Sequence, residues 1–512
     1  MSGSYRVAAG ILASRISGLV RESLMARVLG TTLYADAVSV AFKIPNLLQN
    51  LLGEGTLSAA FIPEYARVSE SKDPRAAGAL ARDILWVLSG LVALVVALGV
   101  LLTPIIITVG TPGLEGERKA VTIMAGRIAF LMTGVLVFSA WALAILNAHR
   151  RFFTAYVAPV MWNLAMIVFL AINYGARPNA RFVNQLMWVA VLGAALQVIV
   201  QLPTLLKVER HLRAKWEGAR DATRVVLRAA VPTIFGRGAV QISGYIDYFL
   251  ASFLAAGTIA IMRYAQMLYM LPISLLGFSV AAAELPELSR MRDMGVGEML
   301  KRTRAALRQV WFWSIPVVVA FFAFGDGIVG VLFQGGAFGR EDTQMVYAAL
   351  AAYTIGLLPA NGGRVLVTSL YATGDTKTPA RISVIRIIIS AVASAGLMFL
   401  LLRTYGGVVA VLGICIGSAL GSCIEFILLR RAVSQRLEGS VTSKLNLRKI
   451  ALICVPIALA LRAVVLALPG RYEQLGTFAA PFIYGAAVLA LGFVFKLPEL
   501  SRLLNAFRRR QG

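Results

Sequence analysis

The sequence predicts an all-α polytopic membrane protein of about 14 transmembrane helices, built as two parallel six-helix lobes plus two extra C-terminal helices. Three observations carry this expectation. The chain is 58% hydrophobic, with mean hydropathy +0.76, and apolar runs of about 20 residues, enough to cross a hydrocarbon core of roughly 30 Å, recur from end to end. Basic residues gather in alternate loops. Matching strings recur at nearly one offset in the two halves.

In chain order the spans lie near 7–28, 36–62, 83–109, 121–147, 155–174, 183–206, 226–253, 261–288, 309–333, 345–371, 382–402, 407–430, 450–469 and 477–496. The first does not read as a cleavable signal peptide, because Arg15 interrupts it and no clean small-residue cleavage site follows. The net charge of +25 follows the loops. One side receives Arg67, Lys72, Arg75 and Arg82, then Arg150 and Arg151, then the dense set from Lys207 to Arg228, with further clusters at Arg290–Arg308, Lys377–Arg381, Arg430–Lys449 and Arg508–Arg510. The other side holds little beyond Arg118, Lys119, Arg177, Arg181, Arg340, Arg403 and Arg471. By the positive-inside rule both termini face the cytoplasm, which requires an even number of spans. The charge thus reflects topology and attraction to anionic phospholipids, and without a recognition motif it does not indicate nucleic acid.

Other chemistries find no support. Cys415, Cys423 and Cys454 fall inside apolar spans without a CxxC pair, and His149 and His211 lie far apart in loops. No cofactor or metal is expected, and no nucleophile motif or phosphate-cradling loop marks an enzyme.

The repeat sets the organisation. Pro63-Glu64-Tyr65-Ala66-Arg67 closes span two, and Pro286-Glu287-Leu288-Ser289-Arg290, 223 residues later, closes span eight. Leu146-Asn147-Ala148 and Leu370-Tyr371-Ala372 match 224 residues apart. Both pairs fall on the basic side, so the repeats are parallel, although helix-end preferences alone also favour such strings. The expected divisions are an N-terminal six-helix lobe at 1–210, a C-terminal six-helix lobe at 220–433 and two additional helices at 446–500.

The segment from Ala13 to Arg67 carries the functional signal. Its two apolar spans hold Arg15, Arg21, Glu22, Asp36, Lys43 and Glu54. Ionisable groups at bilayer depth cost at least a few kcal/mol each and usually face a partner or a watery cavity, so these helices are expected to line a polar cavity. On a helical wheel Arg15, Gly18 and Glu22 share one face, and Ser14, Ser17 and Arg21 the adjoining one. Asp36, Lys43, Asn50 and Glu54 form a stripe on the second span, with Pro45 blurring its register; Lys43 is read either as a cavity ligand or as an ion-pair partner of Asp36.

These residues also resemble a family. Ser14–Gly18 with Arg21-Glu22, Asp36-Ala37, Ala41-Phe42-Lys43-Ile44-Pro45-Asn46-Leu47-Leu48, and Glu54-Gly55 with Ala60-Phe61-Ile62-Pro63 look like the N-terminal signature of the MurJ/MviN lipid II flippases. Arg151-Phe152, Ala158-Pro159, Gln201-Leu202-Pro203, Leu332-Phe333-Gln334, Gly336-Ala337-Phe338 and Gly374-Asp375-Thr376-Lys377-Thr378-Pro379 extend the resemblance, which weakens after about residue 430. It implies the fold of the multidrug/oligosaccharidyl-lipid/polysaccharide exporter superfamily. It also implies alternating-access transport of an undecaprenyl-diphosphate-linked peptidoglycan precursor, lipid II, to the outer leaflet of the bacterial cytoplasmic membrane. Guanidinium groups suit that substrate, since they grip diphosphate oxygens in pairs and keep their charge when desolvated.

The chain departs from the family pattern at two cations. Gln49 follows the Pro-Asn-Leu-Leu string where an arginine is usual, and Gln266-Met267 stands where Asp-Arg is usual. Arg237, deep in span seven, or Arg263, one turn before Met267, is expected to restore the charge, although Arg263 sits near a span end and can instead snorkel to the interface. The expected substrate-binding set is Ser14, Arg15, Ser17, Arg21, Glu22, Asp36, Lys43, Asn46, Glu54, Arg237 and Arg263. For Arg127, Glu284, Asp326, Arg364, Arg386, Glu425 and Arg462, helix-end or interhelical pairing is the leading expectation. Two alternative functions stay open, a flippase for another polyprenyl-linked oligosaccharide and a nontransporting scaffold that recruits cell-wall synthesis enzymes. A cation exporter would favour an acidic cavity, against the arginine-rich first span.

Overall fold

The computed structural model describes residues 2–52, 57–70, 75–212, 215, 219–241, 243–291, 295–442, 447–469 and 471–494. Helices α1 (Ser2–Leu29), α2 (Leu33–Leu52), α3 (Ile62–Ser69), α4 (Ala76–Gly110), α5 (Gly116–Ala148), α6 (Phe152–Ile172), α7 (Ala180–Val208), α8 (Ala219–Gln241) and α9 (Ser243–Ser252) come first. They are followed by α10 (Thr258–Pro272), α11 (Ser279–Arg290), α12 (Val296–Phe333), α13 (Arg340–Thr354), α14 (Leu357–Ala372), α15 (Lys377–Tyr405), α16 (Val411–Arg436), α17 (Arg448–Ala467) and α18 (Arg471–Val494). Among the described residues the only β feature is an isolated bridge between Gly335 and Phe338.

Among the described residues ten helical stretches are long and apolar enough to cross a membrane, and α13 with α14, bent by 41°, adds an eleventh if the pair is one span. The helix order is consistent with fourteen spans. The other three predicted spans are α1, with Arg15, Arg21, Glu22 and Arg27, α2 with α3, and α8 with α9. They carry charge, so they fall outside the purely apolar class.

The chain forms two compact units, Met1–Ala260 with Gly335–Phe338, and Ile261–Gln334 with Gly339–Gly512. In the first, α5 is the interior helix, packed against α2, α4 and α7. Of its most apolar stretch 78% is buried, against 22% for α4, whose exposed Trp86, Leu94, Leu101 and Ile105 give the outward apolar face that a lipid solvent requires. Inside, Gln197 Nε2 donates to Ser139 Oγ at 2.8 Å, and Ser139 donates to Gln201 Oε1 at 3.2 Å, so each buried amide gains one of the bonds it would otherwise lack in an apolar core, while Gln201 Nε2 has no partner among the described residues. The Gly335–Phe338 segment joins this unit through Ala337 N, which donates to Arg27 O at 2.7 Å.

At the basic-loop end of the first unit, Tyr65 Oη donates to Glu209 Oε2 at 2.6 Å. It also lies 2.8 Å from His149 Nε2. The one phenolic proton goes to the carboxylate, so the imidazole must donate through Nε2. Burial pulls the His149 pKa below its ordinary value, with Glu209 opposing and Arg151 reinforcing the shift.

In the second unit α15 and α16 pack most closely. A Cβ at Gly417 would lie 2.3 Å from the Ser394 backbone nitrogen, and one at Gly413 2.5 Å from backbone atoms of Leu397 and Met398, so only glycine permits this approach. Helix α12 kinks at Phe324 (φ −133°, ψ 16°). Beside the kink, Asp326 accepts from both terminal nitrogens of Arg462 on α17, at 2.8 and 3.2 Å. Phe312, Phe324, Cys454 and Tyr484 form a cluster that fastens α17 and α18 to α12.

The duplicated motif has a structural counterpart in each unit. A π-helical turn, Leu57–Phe61, leads into α3, and another, Ile273–Phe278, leads into α11. Within the motif Arg67 pairs with Glu64 at 2.6 Å and Arg290 with Glu287 at 3.4 Å. A shared helix-end preference explains the ion pairs but not the matching π-turns.

Tyr65→Phe removes the hydroxyl that serves buried Glu209 and half-buried His149. The expected loss is about 1–3 kcal/mol, read as a lowered Tm of the detergent-solubilised protein; an unchanged Tm would show that the cluster is not structural.

Candidate functional site

The charged part of α1 is organised by a neighbour that sequence reading missed. Asn163, buried on α6, donates through Nδ2 to Ser17 Oγ at 2.9 Å and to Ser14 O at 3.4 Å, while its Oδ1 accepts from Arg21 Nη1 at 3.0 Å. Ser17 Oγ in turn donates to Ser14 O at 3.0 Å. The Arg21 guanidinium also pairs with Glu22 and lies 4.4 Å from the centroid of the Trp162 ring. Its Nε is buried without a hydrogen-bond partner among the described residues. The Trp162-Asn163 pair thus holds a guanidinium in one orientation by stacking and hydrogen bonding, the condition for directional recognition of a phosphate.

The structure brings Ser14, Ser17, Arg21 and Glu22 into this cluster. Arg15 stands apart, exposed, six residues or about 9 Å along the helix from Arg21. It makes no ion pair among the described residues.

Asp36 lies elsewhere. Its carboxylate is fully buried, lies 2.7 Å from Arg118 Nη2 in an ion pair, and accepts from Gly257 N at 2.6 Å and Ala260 N at 2.8 Å. It therefore caps the first turn of α10 from another helix. Gly257 makes this possible, since its φ of +91° is strained for a side chain and a Cβ there would sit 2.0 Å from Thr31 O. Arg118, read from sequence as an outer-loop charge, is only 10% exposed at its side chain and also donates to Leu254 O at 3.0 Å. Asp36 thus pairs with Arg118, which answers the question left open by the Asp36–Lys43 alternative.

Lys43 is half-buried. Its Nζ lies 4.8 Å from the Tyr248 ring centroid and 5.9 Å from that of Tyr245, whose hydroxyl donates to Lys43 O at 2.9 Å. Val40, Ile106, Ile107 and Thr111 complete a small pocket around the ammonium and the two rings. The backbone of Asn46 lies in α2 and that of Arg237 in α8, but neither side chain is among those described, and Glu54 falls outside the described residues.

In the second unit Arg263 is half-buried, its guanidinium 5.7 Å from the Tyr264 ring centroid. Nearby Gln266 Nε2 donates to Tyr353 Oη at 2.9 Å, and Tyr353 stacks on Tyr269 with centroids 5.4 Å apart. The other intramembrane charges mostly form interhelical pairs, as expected. Glu284 takes both Arg302 Nε and Nη2 at 2.6 and 3.0 Å, and Arg386 meets Glu425 at 3.5 Å.

A helical bundle with apolar outer faces and oriented cations at span depth defines a polytopic membrane transporter. The comparisons with known proteins narrow this class. The family model for "Lipid II flippase MurJ" matches residues 25–484. The lipid II flippase MurJ of Burkholderia cenocepacia is 31% identical over 431 residues, 82% of each chain. A probable lipid II flippase MurJ of Bdellovibrio bacteriovorus is 28% identical over 98% of this chain and 96% of its own. Among solved structures, a lipid II flippase MurJ in an inward closed conformation superposes with TM-score 0.70 at 22% identity, covering 94% of this chain and 98% of that one. An inward-facing multidrug resistance MATE family transporter gives 0.68 at 16% identity, covering 84% and 96%. The chain belongs to the lipid II flippase MurJ family.

Asp36→Ala or Arg118→Ala leaves the other charge buried and unpaired, and each is expected to cost about 3–5 kcal/mol. The double variant should cost clearly less than the sum of the two, because the residues share one interaction. Thermal unfolding of the three purified variants measures this, and strict additivity would refute the pairing.

Proposed function

We propose that this protein is a flippase that carries undecaprenyl-diphosphate-linked peptidoglycan precursor, lipid II, from the cytoplasmic to the outer leaflet by alternating access, without making or breaking a bond. Family membership supplies the substrate class. The single observation that carries the reading is the Arg21 guanidinium, oriented by Asn163 and Trp162 at span depth. A diphosphate needs rigid bidentate donors, and desolvation does not discharge arginine.

In this reading Arg21 binds the diphosphate, Ser14, Ser17 and Glu22 hold or flank it, and exposed Arg15 makes first contact with the headgroup. Lys43, Asn46, Glu54, Arg237 and Arg263 are further headgroup contacts. Asp36 acts at one remove, by fixing the start of α10 against α2. The duplicated lobes are taken as 1–210 and 220–433, with 446–500 as the added helices. Both termini face the cytoplasm of a bacterial inner membrane, anionic phospholipids meet the basic loops, and cell-wall synthesis enzymes are the natural neighbours. The absent cations at Gln49 and Met267 favour one second reading, a flippase for a different polyprenyl-linked oligosaccharide.

Complementation of a bacterium depleted of its own lipid II flippase separates the two readings. Wild type should restore growth, whereas Arg15→Ala or Arg21→Ala should abolish it at near-normal membrane abundance. Growth with both variants at low expression would remove the diphosphate-binding role, and failure of the wild type would favour the second substrate.

Orientation is tested with single cysteines in a background lacking Cys415, Cys423 and Cys454. Cysteines in the 110–119 and 334–343 loops should react with an impermeant reagent from outside, and those at 211–219 and 437–443 should not. Labelling of 211–219 from outside would invert the topology.

A further inference from the structure

The second unit holds a concentration of positive charge that no feature of the first explains. Arg386 on α15 meets Glu425 on α16 at 3.5 Å, and Ser383 Oγ reaches the same carboxylate at 3.4 Å. Arg364 on α14 lies within electrostatic reach of both Arg386 and Glu425. Its guanidinium is 4.5 Å from the Phe278 ring centroid, and it has no carboxylate of its own among the described residues. Tyr269 on α10 completes the group, within reach of both arginines. Of the two guanidiniums only that of Arg386 touches the carboxylate, and Arg364 stands within electrostatic reach of it.

The three charged residues lie at a common depth. Arg364 is eight residues from the end of α14, Arg386 nine from the start of α15 and Glu425 eleven from the end of α16, or about 12, 14 and 17 Å from helix ends that all belong to the basic-loop side. Structural pairing alone would need equal numbers of each sign, as at Glu284–Arg302 and Asp326–Arg462. A surplus cation at this depth is costly unless water or an anion compensates it. Arg386 is engaged at a single 3.5 Å contact and remains 31% exposed, which leaves guanidinium donors for a ligand.

We infer that Arg364 and Arg386 form a phosphate-binding site within the second unit, which takes the diphosphate of the polyprenyl-linked substrate from the basic-loop side, with Glu425 as the internal competitor that the diphosphate displaces from Arg386. The inference rests on the proposed flippase function and adds a second binding position to it. Glu425 keeps Arg386 oriented while the site is empty, and Phe278 holds Arg364 by its ring face, leaving the edge donors of the guanidinium for phosphate.

The test measures retention of undecaprenyl diphosphate by native mass spectrometry, using full-length protein in phosphatidylcholine nanodiscs, with phosphatidylglycerol in a parallel arm. Arg364→Gln and Arg386→Gln should each weaken undecaprenyl diphosphate binding at least fivefold, with Arg364→Lys, which keeps the charge but loses the fork, falling between wild type and Arg364→Gln. Glu425→Gln should tighten binding several-fold, an effect that a merely structural ion pair would not produce. Phosphatidylglycerol should not be retained at the same mole fraction. Wild-type binding in both Gln variants, together with weakening by Arg21→Gln, would overturn this site and leave the flippase reading standing. Equal retention of phosphatidylglycerol through these arginines would overturn the assignment to diphosphate. Weaker binding in Glu425→Gln would overturn the competitor role and the site with it. A wild type that retains no undecaprenyl diphosphate would bring down the flippase reading as well. If a Gln variant unfolds, which its melting curve without ligand reveals, Arg364→Lys and Glu425→Gln decide the matter.

Discussion

A charge placed at span depth must find a partner inside the protein, and this constraint organises the molecule. Asp36 is tolerated with no exposure only because Arg118 and two backbone N–H groups converge on it. Glu284, Asp326 and Glu425 each take an arginine from another helix. Against this background of matched pairs, the positions where cations exceed carboxylates stand out. Arg364 and Arg386 around Glu425 are charges in local surplus, and surplus charge is what a translocated anion requires.

Each unit meets the same constraint with its own means. The first uses amide and hydroxyl networks, with Asn163 bridging α6 to α1 and Gln197 and Gln201 joined through Ser139. The second relies on glycine-mediated contact of α15 with α16 and on the aromatic cluster that secures α17 and α18 to kinked α12. A π-turn precedes the matching motif in both units, while the side chains around it differ. Such turns shift the register of a helix face and are often kept where function needs it.

The architecture was largely legible in the sequence because hydrophobic length and loop charge are one-dimensional properties. The grouping of Ser14, Ser17, Arg21 and Glu22 was legible too, since all four lie within about two turns of one helix. Partner choice was not. Asn163 reads as one polar residue in an apolar run, and nothing local announces that it reaches α1. Arg118 was counted among the outer-loop charges although it is the main partner of Asp36. The wheel placed Asp36 and Lys43 in one stripe, yet tertiary packing sends the carboxylate to Arg118 and the ammonium to Tyr248.

The capping of α10 by Asp36 has a consequence for biosynthesis. Arg118 emerges from the ribosome 82 residues after Asp36, but the Gly257 amide follows only 221 residues after it. At ordinary elongation rates of about 5–20 residues per second, the carboxylate waits roughly 10–45 s for its last donors. During that interval the Arg118 guanidinium is the one strong partner yet synthesised from the set that finally surrounds Asp36, so the ion pair acts as a placeholder that keeps a nascent span in place until the segment that completes the site has been made.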